Sequence, residues 1–138
     1  MRTKSQRYAD AVMPNVLAVA NAHPADFQKK YKTLTKKAGS LVRNSGLIQT
    51  LAFFCARGQK EHEEHHQLLL DHLEQELQGL GLISQDEKLY QAVREAEVPQ
   101  YMVFTREVLG LLNWHKRLVE TLIINDEQQP QVQEEAVS

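Results

Sequence analysis

A short run of histidines and glutamates is the first place where this sequence could do chemistry. His62 and His66 frame a formal match to H-E-x-x-H, the helical zinc motif of metalloproteases, and His72 stands where a third ligand would follow. The longer motif needs a glycine three residues after its second histidine, but Leu69 occupies that position. On an unbroken helix His62 and His72 would lie about 15 Å apart, too far to share one zinc ion. We therefore predict no metal site and interpret the run as a solvated first helical turn.

Cys55 is the other candidate reactive residue, and it lies inside an apolar run with no histidine partner fixed by the sequence. A cysteine in such a run is typically a small core side chain. We find no phosphate-binding glycine loop, nucleophile elbow or paired aspartate metal motif. The prediction is a protein with no catalytic residues and no cofactor. A single cysteine and the lack of a signal peptide or an apolar membrane span predict a cytoplasmic protein without membrane contact.

The distribution of charge is more informative than the net charge of −2. Residues 1–60 carry eleven Lys or Arg against two acidic residues, whereas residues 61–138 carry five against sixteen. Such asymmetry indicates one surface that faces a polyanion and an opposite acidic surface. A dipolar surface that is simply solvated is the alternative.

The basic residues are concentrated between positions 29 and 60. On a helical wheel Lys29, Lys32, Lys36 and Arg43 fall opposite an apolar arc that includes Tyr31. Lysine predominates over arginine, which favours contact with nucleic-acid phosphates over base recognition. Docking of an acidic protein remains the alternative. The predicted RNA-binding residues are Lys29, Lys30, Lys32, Lys36, Lys37, Arg43, Arg57 and Lys60.

The elements that position these residues are predicted to be helices only. Glycine and proline are scarce, and no segment alternates as a strand would. We predict an all-α fold, with one compact domain of five to six helices over residues 1–125 and a disordered acidic tail over 126–138. The predicted helices span about Thr3–Ala22, Pro24–Arg43, Ser45–Gly58, Gln59–Leu80, Ser84–Ala96 and Pro99–Ile124.

The segment Ser45–Gly58 is predicted to be the buried central helix. Between Leu47 and Ala56 only two residues are polar, and a helix that is apolar nearly all round must be covered nearly all round. Phe53 is accordingly expected to be fully buried. Asn44 and Ser45 are candidate N-caps. Elsewhere, Pro14 predicts a kink or an early restart, and Gly39-Ser40 is a candidate helix break.

Three blocks of the sequence resemble a known family. Residues 29–58 (KKYKTLTKKAGSLVRNSGLIQTLAFFCARG), residues 105–123 (TREVLGLLNWHKRLVETLI) and residues 7–12 (RYADAV) are similar to the small helical subunit of the type III-B CRISPR effector, the Cmr complex. Gly39 stands where that family's pattern has proline, and Ser45 where asparagine is usual. Both departures concern the turn before the central helix.

The resemblance implies a non-catalytic, RNA-binding subunit of a ribonucleoprotein that acts in antiviral defence. Its implied partners are guide RNA and target RNA, other Cmr subunits, and copies of itself in a head-to-tail stack. Cleavage of the target would belong to another subunit. A stand-alone helical module whose basic face docks an acidic protein is the competing interpretation.

Overall fold

The computed structural model describes residues 1–124, which form α-helices joined by short turns, with no strand in that range. The prediction of an all-α fold is confirmed. The predicted acidic tail, 126–138, lies outside the described residues. The helices are α1 (Lys4–Ala22), α2 (Ala25–Ser45), α3 (Leu47–Arg57), α4 (Glu64–Gly79), α5 (Leu89–Glu95) and α6 (Val98–Leu122).

Helix ends follow local chemistry, though not always where the sequence suggested. Thr3 begins α1 with a capping box in which its hydroxyl accepts from the backbone N–H of Gln6, while the Gln6 side chain accepts from the Thr3 N–H. The helix continues through Pro14, so of the two predicted alternatives, a kink or an early restart, the restart does not occur. Likewise, α2 runs unbroken through Gly39.

Gly46 separates α2 from α3. Its φ of 87° is a left-handed conformation that a residue without a side chain adopts at little cost. Gly46 is therefore both the C-cap of α2 and the N-cap of α3, and the predicted caps Asn44 and Ser45 belong to the last turn of α2.

The predicted long fourth helix starts later than expected. Residues 59–63 form a turn in which His62 has a φ of 67°, and α4 begins only at Glu64. Gly58 makes this tight return possible, because a Cβ at that position would lie 2.7 Å from the Cβ of Gln67. The turn brings the first residues of α4 back against α3.

The core is organised around α6, which packs along both α1 and α2, while α3 packs against α2, α4 and α5. The first and last described helices are thus neighbours. Lys4 pairs with Glu107 at 2.9 Å across the α1–α6 contact, and the Tyr8 hydroxyl donates to the same carboxylate. Within the described residues no helix is long and apolar enough to cross a membrane.

Burial of α3 is one-sided, contrary to the prediction. Leu47, Leu51 and Phe54 follow i, i+4, i+7 spacing and are fully buried, whereas Phe53 is 40% exposed. The reason is that the neighbours of α3 cover one broad face, and its other face reaches the surface. The prediction that Phe53 is buried is therefore wrong.

A buried polar network joins four helices, and no sequence pattern predicted it. The Nε2 of His115 on α6 lies 2.8 and 3.0 Å from the carboxylate oxygens of Glu76 on α4. Asn15 of α1 donates to the same carboxylate at 2.8 Å. Tyr31 of α2 completes the set, with its hydroxyl 2.7 Å from the Nδ1 of His72.

Adjacent phenylalanines on α3 provide a test of this packing. Phe54→Ala should lower the free energy of unfolding by about 3–5 kcal/mol, because it removes a fully buried ring and leaves a cavity. Phe53→Ala, at the half-exposed neighbour, should cost less than half as much. Urea denaturation of both variants measures the difference. Equal losses would contradict one-sided burial.

The buried His72 predicts a pH-dependent stability. Burial, followed by the charge of His115, lowers the pKa of His72 from 6.5 to about 4. The unfolded chain therefore binds a proton more readily in this range, and stability rises with pH between about 4 and 6.5. On going from pH 7 to pH 5, the titration of this group alone should lower the free energy of unfolding by about 2 kcal/mol.

His72→Asn keeps an acceptor for the Tyr31 hydroxyl and removes the titration. Its unfolding free energy should fall less between pH 7 and pH 5 than that of the wild type, as measured by chemical denaturation at each pH. His62→Asn, at an exposed position, is the matched control and should retain the wild-type dependence. The same pH dependence in His72→Asn would exclude His72 as its source.

Candidate nucleic-acid interface

The basic residues of α2 divide between two faces. Lys32 and Lys36 face α6, whereas Lys29, Lys30 and Lys37 line a pocket on another side of the helix. The predicted single row is therefore split, and the two groups have different roles.

Lys32 is not a surface residue. It is 4% exposed, and its Nζ donates to the backbone carbonyl of Ile123 at 2.8 Å. Ile123 caps the C-terminal end of α6, where carbonyl groups lack helical partners and a cation is favourable. The predicted position of Lys32 on an exposed basic row is wrong, because α6 covers that part of α2.

Lys36 remains at the surface but is paired. Its Nζ lies 2.7 Å from the Oε1 of Glu120 on α6. The hydrogen bond from Lys36, and then its charge, lower the pKa of Glu120. Both groups are close to half exposed, so this pair contributes little to stability and leaves Lys36 within reach of an external anion.

The main basic concavity lies between α2, α3 and the turn before α4. It is an open cavity of about 470 Å³ that also borders on the exposed ring of Phe53. Four cations line it against two carboxylates, Asp26 and Glu63. The lining cations are Lys29, Lys30, Lys37 and Arg57.

Backbone and side-chain contacts fix the wall of this basic pocket. The Nζ of Lys30 donates to the carbonyl of His62 at 3.2 Å and pairs with Asp26 at 3.7 Å, which ties the turn to α2. Glu63 anchors the other end, with its carbonyl 3.0 Å from the Nδ1 of His66. Of these contacts, the one between Lys30 and His62 joins segments that are distant in the sequence, and it holds the turn against α2.

His65 and His66 contradict the predicted solvated turn. They are 7% and 5% exposed, because the turn folds the start of α4 against α2 and α3. The rings of Phe27 and His65 form a T-shaped pair with centroids 6.3 Å apart, and those of Phe53 and His66 form another with centroids 5.5 Å apart. Burial, followed by the neighbouring His66, lowers the pKa of His65, which keeps it neutral at pH 7.

The same turn determines which residues could together ligate a metal ion. His62 precedes α4, so His62 and His66 do not lie on one helix as the H-E-x-x-H motif requires. Glu63, His65 and His66 instead offer ligand atoms within 4.8 Å of one another. Arg57 lies 4.0 Å from the carboxylate of Glu63, and the surrounding cations oppose a bound metal ion. That His62, His66 and His72 have no metal role stays a prediction.

Two of the predicted RNA-binding residues lie outside the lining of the basic pocket. Arg43 and Lys60 are exposed and, among residues 1–124, have no ion-pair partner.

Cys55 is half-buried, and burial raises the pKa of its thiol, which therefore stays protonated at neutral pH. That arrangement suits a packing role for Cys55.

Phe53 is the pocket residue that sequence reasoning missed. The signal was present in the spacing, because Leu47, Leu51 and Phe54 alone form a complete inward stripe. Phe53 lies about 100° away from Phe54 on the helix, beside Arg57 one turn later.

Comparisons with known proteins agree with this architecture. Residues 4–122 match the family described as CRISPR-associated protein (Cas_Cmr5). The chain is 37% identical over 123 residues to the CRISPR system Cmr subunit Cmr5 of Thermus thermophilus, and the match covers 89% of this chain and 98% of that protein.

A solved structure supports the same assignment. The crystal structure of a CRISPR-associated Cmr5 family protein from Thermus thermophilus superimposes with a TM-score of 0.72 at 36% identity. The match covers 90% of this chain and 100% of that one. The chain belongs to the Cmr5 family of CRISPR-associated proteins.

Proposed function

We propose that this chain is a non-catalytic small subunit of a type III-B CRISPR ribonucleoprotein effector, and that it contacts the phosphates of guide or target RNA. Family membership and a relative named as a Cmr subunit support the assembly. The observation that carries the RNA contact is the basic pocket between α2, α3 and the turn before α4. The proposed contact residues are Lys29, Lys30, Lys36, Lys37, Arg43, Arg57 and Lys60.

Lys32 is left out of this set because it is buried against the end of α6. The remaining cations suit phosphate recognition, which needs positive charge at the surface and no base-specific geometry. Their charge is only partly balanced by Asp26, Glu63 and Glu120. Binding through them is expected to be salt-sensitive and indifferent to RNA sequence.

Within the effector the chain contacts other Cmr subunits and stacks head-to-tail with copies of itself in the cytoplasm. Exposed apolar side chains support such contacts, with Met13 and Leu17 on α1 and Val98 and Met102 on α6. A head-to-tail contact is heterologous and builds an open filament.

A basic surface that docks an acidic protein is the second candidate. Arg43 and Lys60 have no ion-pair partner within the described range, so carboxylates could take the place of phosphates. The two functions predict different losses when the surface is reversed in charge.

Reversal of three exposed cations tests the RNA contact. The triple variant Lys37→Glu, Arg43→Glu, Lys60→Glu should bind unrelated single-stranded RNAs more weakly to a similar extent. Its slope of log affinity against log salt should flatten by about 2, at about 0.7 per lost contact. Fluorescence anisotropy over a salt series measures both quantities.

A second triple variant, Arg94→Glu, Arg106→Glu, Arg117→Glu, carries the same change in net charge on α5 and α6. It should retain most of the affinity and slope. Unchanged RNA binding in the first variant, together with loss of a protein partner on co-purification, would favour the acidic-protein function. Equal losses in both triples would mean that only net charge matters.

A further inference from the structure

We propose that the basic pocket holds one unpaired nucleotide of an RNA strand, with its base against the ring of Phe53 and its phosphate near Lys37 and Arg57. This inference rests on the proposed function, since it gives the RNA-contacting surface a specific occupant. It concerns the base, which phosphate contacts alone do not recognise.

Phe53 supplies the first argument. It is an aromatic ring left 40% exposed at the rim of a cavity lined by cations, although α3 has a fully buried stripe without it. Bases stack on exposed aromatic rings whatever their sequence, because every base has a π-face. The ring also packs against His66 in a T-shaped arrangement, with ring centroids 5.5 Å apart and an angle of 89° between the ring planes.

Arg57 supplies the second argument. Its guanidinium carbon lies over the ring of Phe53, 5.5 Å from the ring centroid, so a second planar group of the kind that stacks on bases covers one face of the first. Its Nε is buried and makes no hydrogen bond among residues 1–124, and its ion pair with Glu63 is long, at 4.0 Å. The hydrogen-bonding capacity of this side chain is therefore not used up within the fold.

His65 adds an independent sign of an unfilled site. The residue is 7% exposed, and its Nδ1 is buried without a hydrogen-bond partner in the described part of the chain. An unpaired buried polar atom costs free energy that a ligand or a water bound with it can recover.

The shape and charge of the pocket select the occupant. A volume of about 470 Å³ lies within the usual range for sites that bind small molecules. A paired base remains within its stack, so only a nucleotide that leaves the stack reaches a concave site of this kind. A divalent cation at Glu63, His65 and His66 is the competing occupant, but four neighbouring cations favour an anion.

Three RNA duplexes of one sequence test the proposal on the purified full chain. One is fully paired, one carries a single bulged nucleotide, and one carries an abasic residue at the same bulge. The wild type should bind the bulged duplex about tenfold more tightly than either of the others, which is the scale of one base–aromatic stack.

Substitutions of Phe53 identify the surface responsible. Phe53→Ala should lose the preference for the bulged duplex and keep the salt dependence, because no charge is removed. Phe53→Trp should retain the preference. Met102→Ala, which truncates another exposed apolar residue, is the matched control. Circular dichroism and thermal denaturation of each variant verify that the fold is intact.

The outcomes separate this inference from the proposed function. If the wild type binds the abasic bulge as tightly as the intact one, or if Phe53→Ala keeps the preference, the nucleotide pocket is overturned while salt-dependent RNA binding still stands. If the wild type binds none of the duplexes at moderate salt, the nucleotide pocket is overturned, and the proposed function also fails if single-stranded RNA is not bound either. Stoichiometric Zn²⁺ in the purified chain that is lost in His65→Ala would assign the pocket to a cation and also overturn the inference.

Discussion

The buried contact between Glu76 and His115 is the constraint on which the fold depends. Both side chains are fully inaccessible, and a carboxylate in that position is tolerable only when its oxygens accept hydrogen bonds. Asn15 on α1 and His115 on α6 donate these hydrogen bonds. The carboxylate of Glu76 on α4 therefore fixes the positions of three helices relative to one another. Loss of either donor would leave the buried carboxylate with only one of its two hydrogen-bonding partners, which costs more than an equivalent change at the surface.

Helix α2 connects this core to the proposed function. Tyr31 and Leu34 face inward, Lys32 ties the helix to the end of α6, and Lys37 lines the basic pocket. One helix therefore serves as structural wall and as charged surface. Because Lys32 and Tyr31 fix its rotation, the cations on the remaining side are presented in a defined direction.

The features of the fold that depend on local patterns could be predicted from the sequence. Helix number and type follow from apolar spacing, and the concentration of lysines on α2 is visible without any structure. Burial was harder to predict. The exposure of Phe53 and of Lys32 depends on which helices cover α3 and α2, and local patterns do not contain that information. The histidines illustrate the same limit. His65 and His66 appeared solvated on a continuous helix, but a turn made possible by Gly58 folds them inward.

The pairing of α1 with α6 has a consequence for how the chain folds as it is made. Glu76 leaves the ribosome well before His115, so the buried carboxylate is synthesised before its partner. Until then the apolar faces of α1 and α2 that α6 covers remain open to solvent and to other chains. The compact state can close only once α6 has been synthesised, so its formation depends on contacts between segments that are far apart in the sequence.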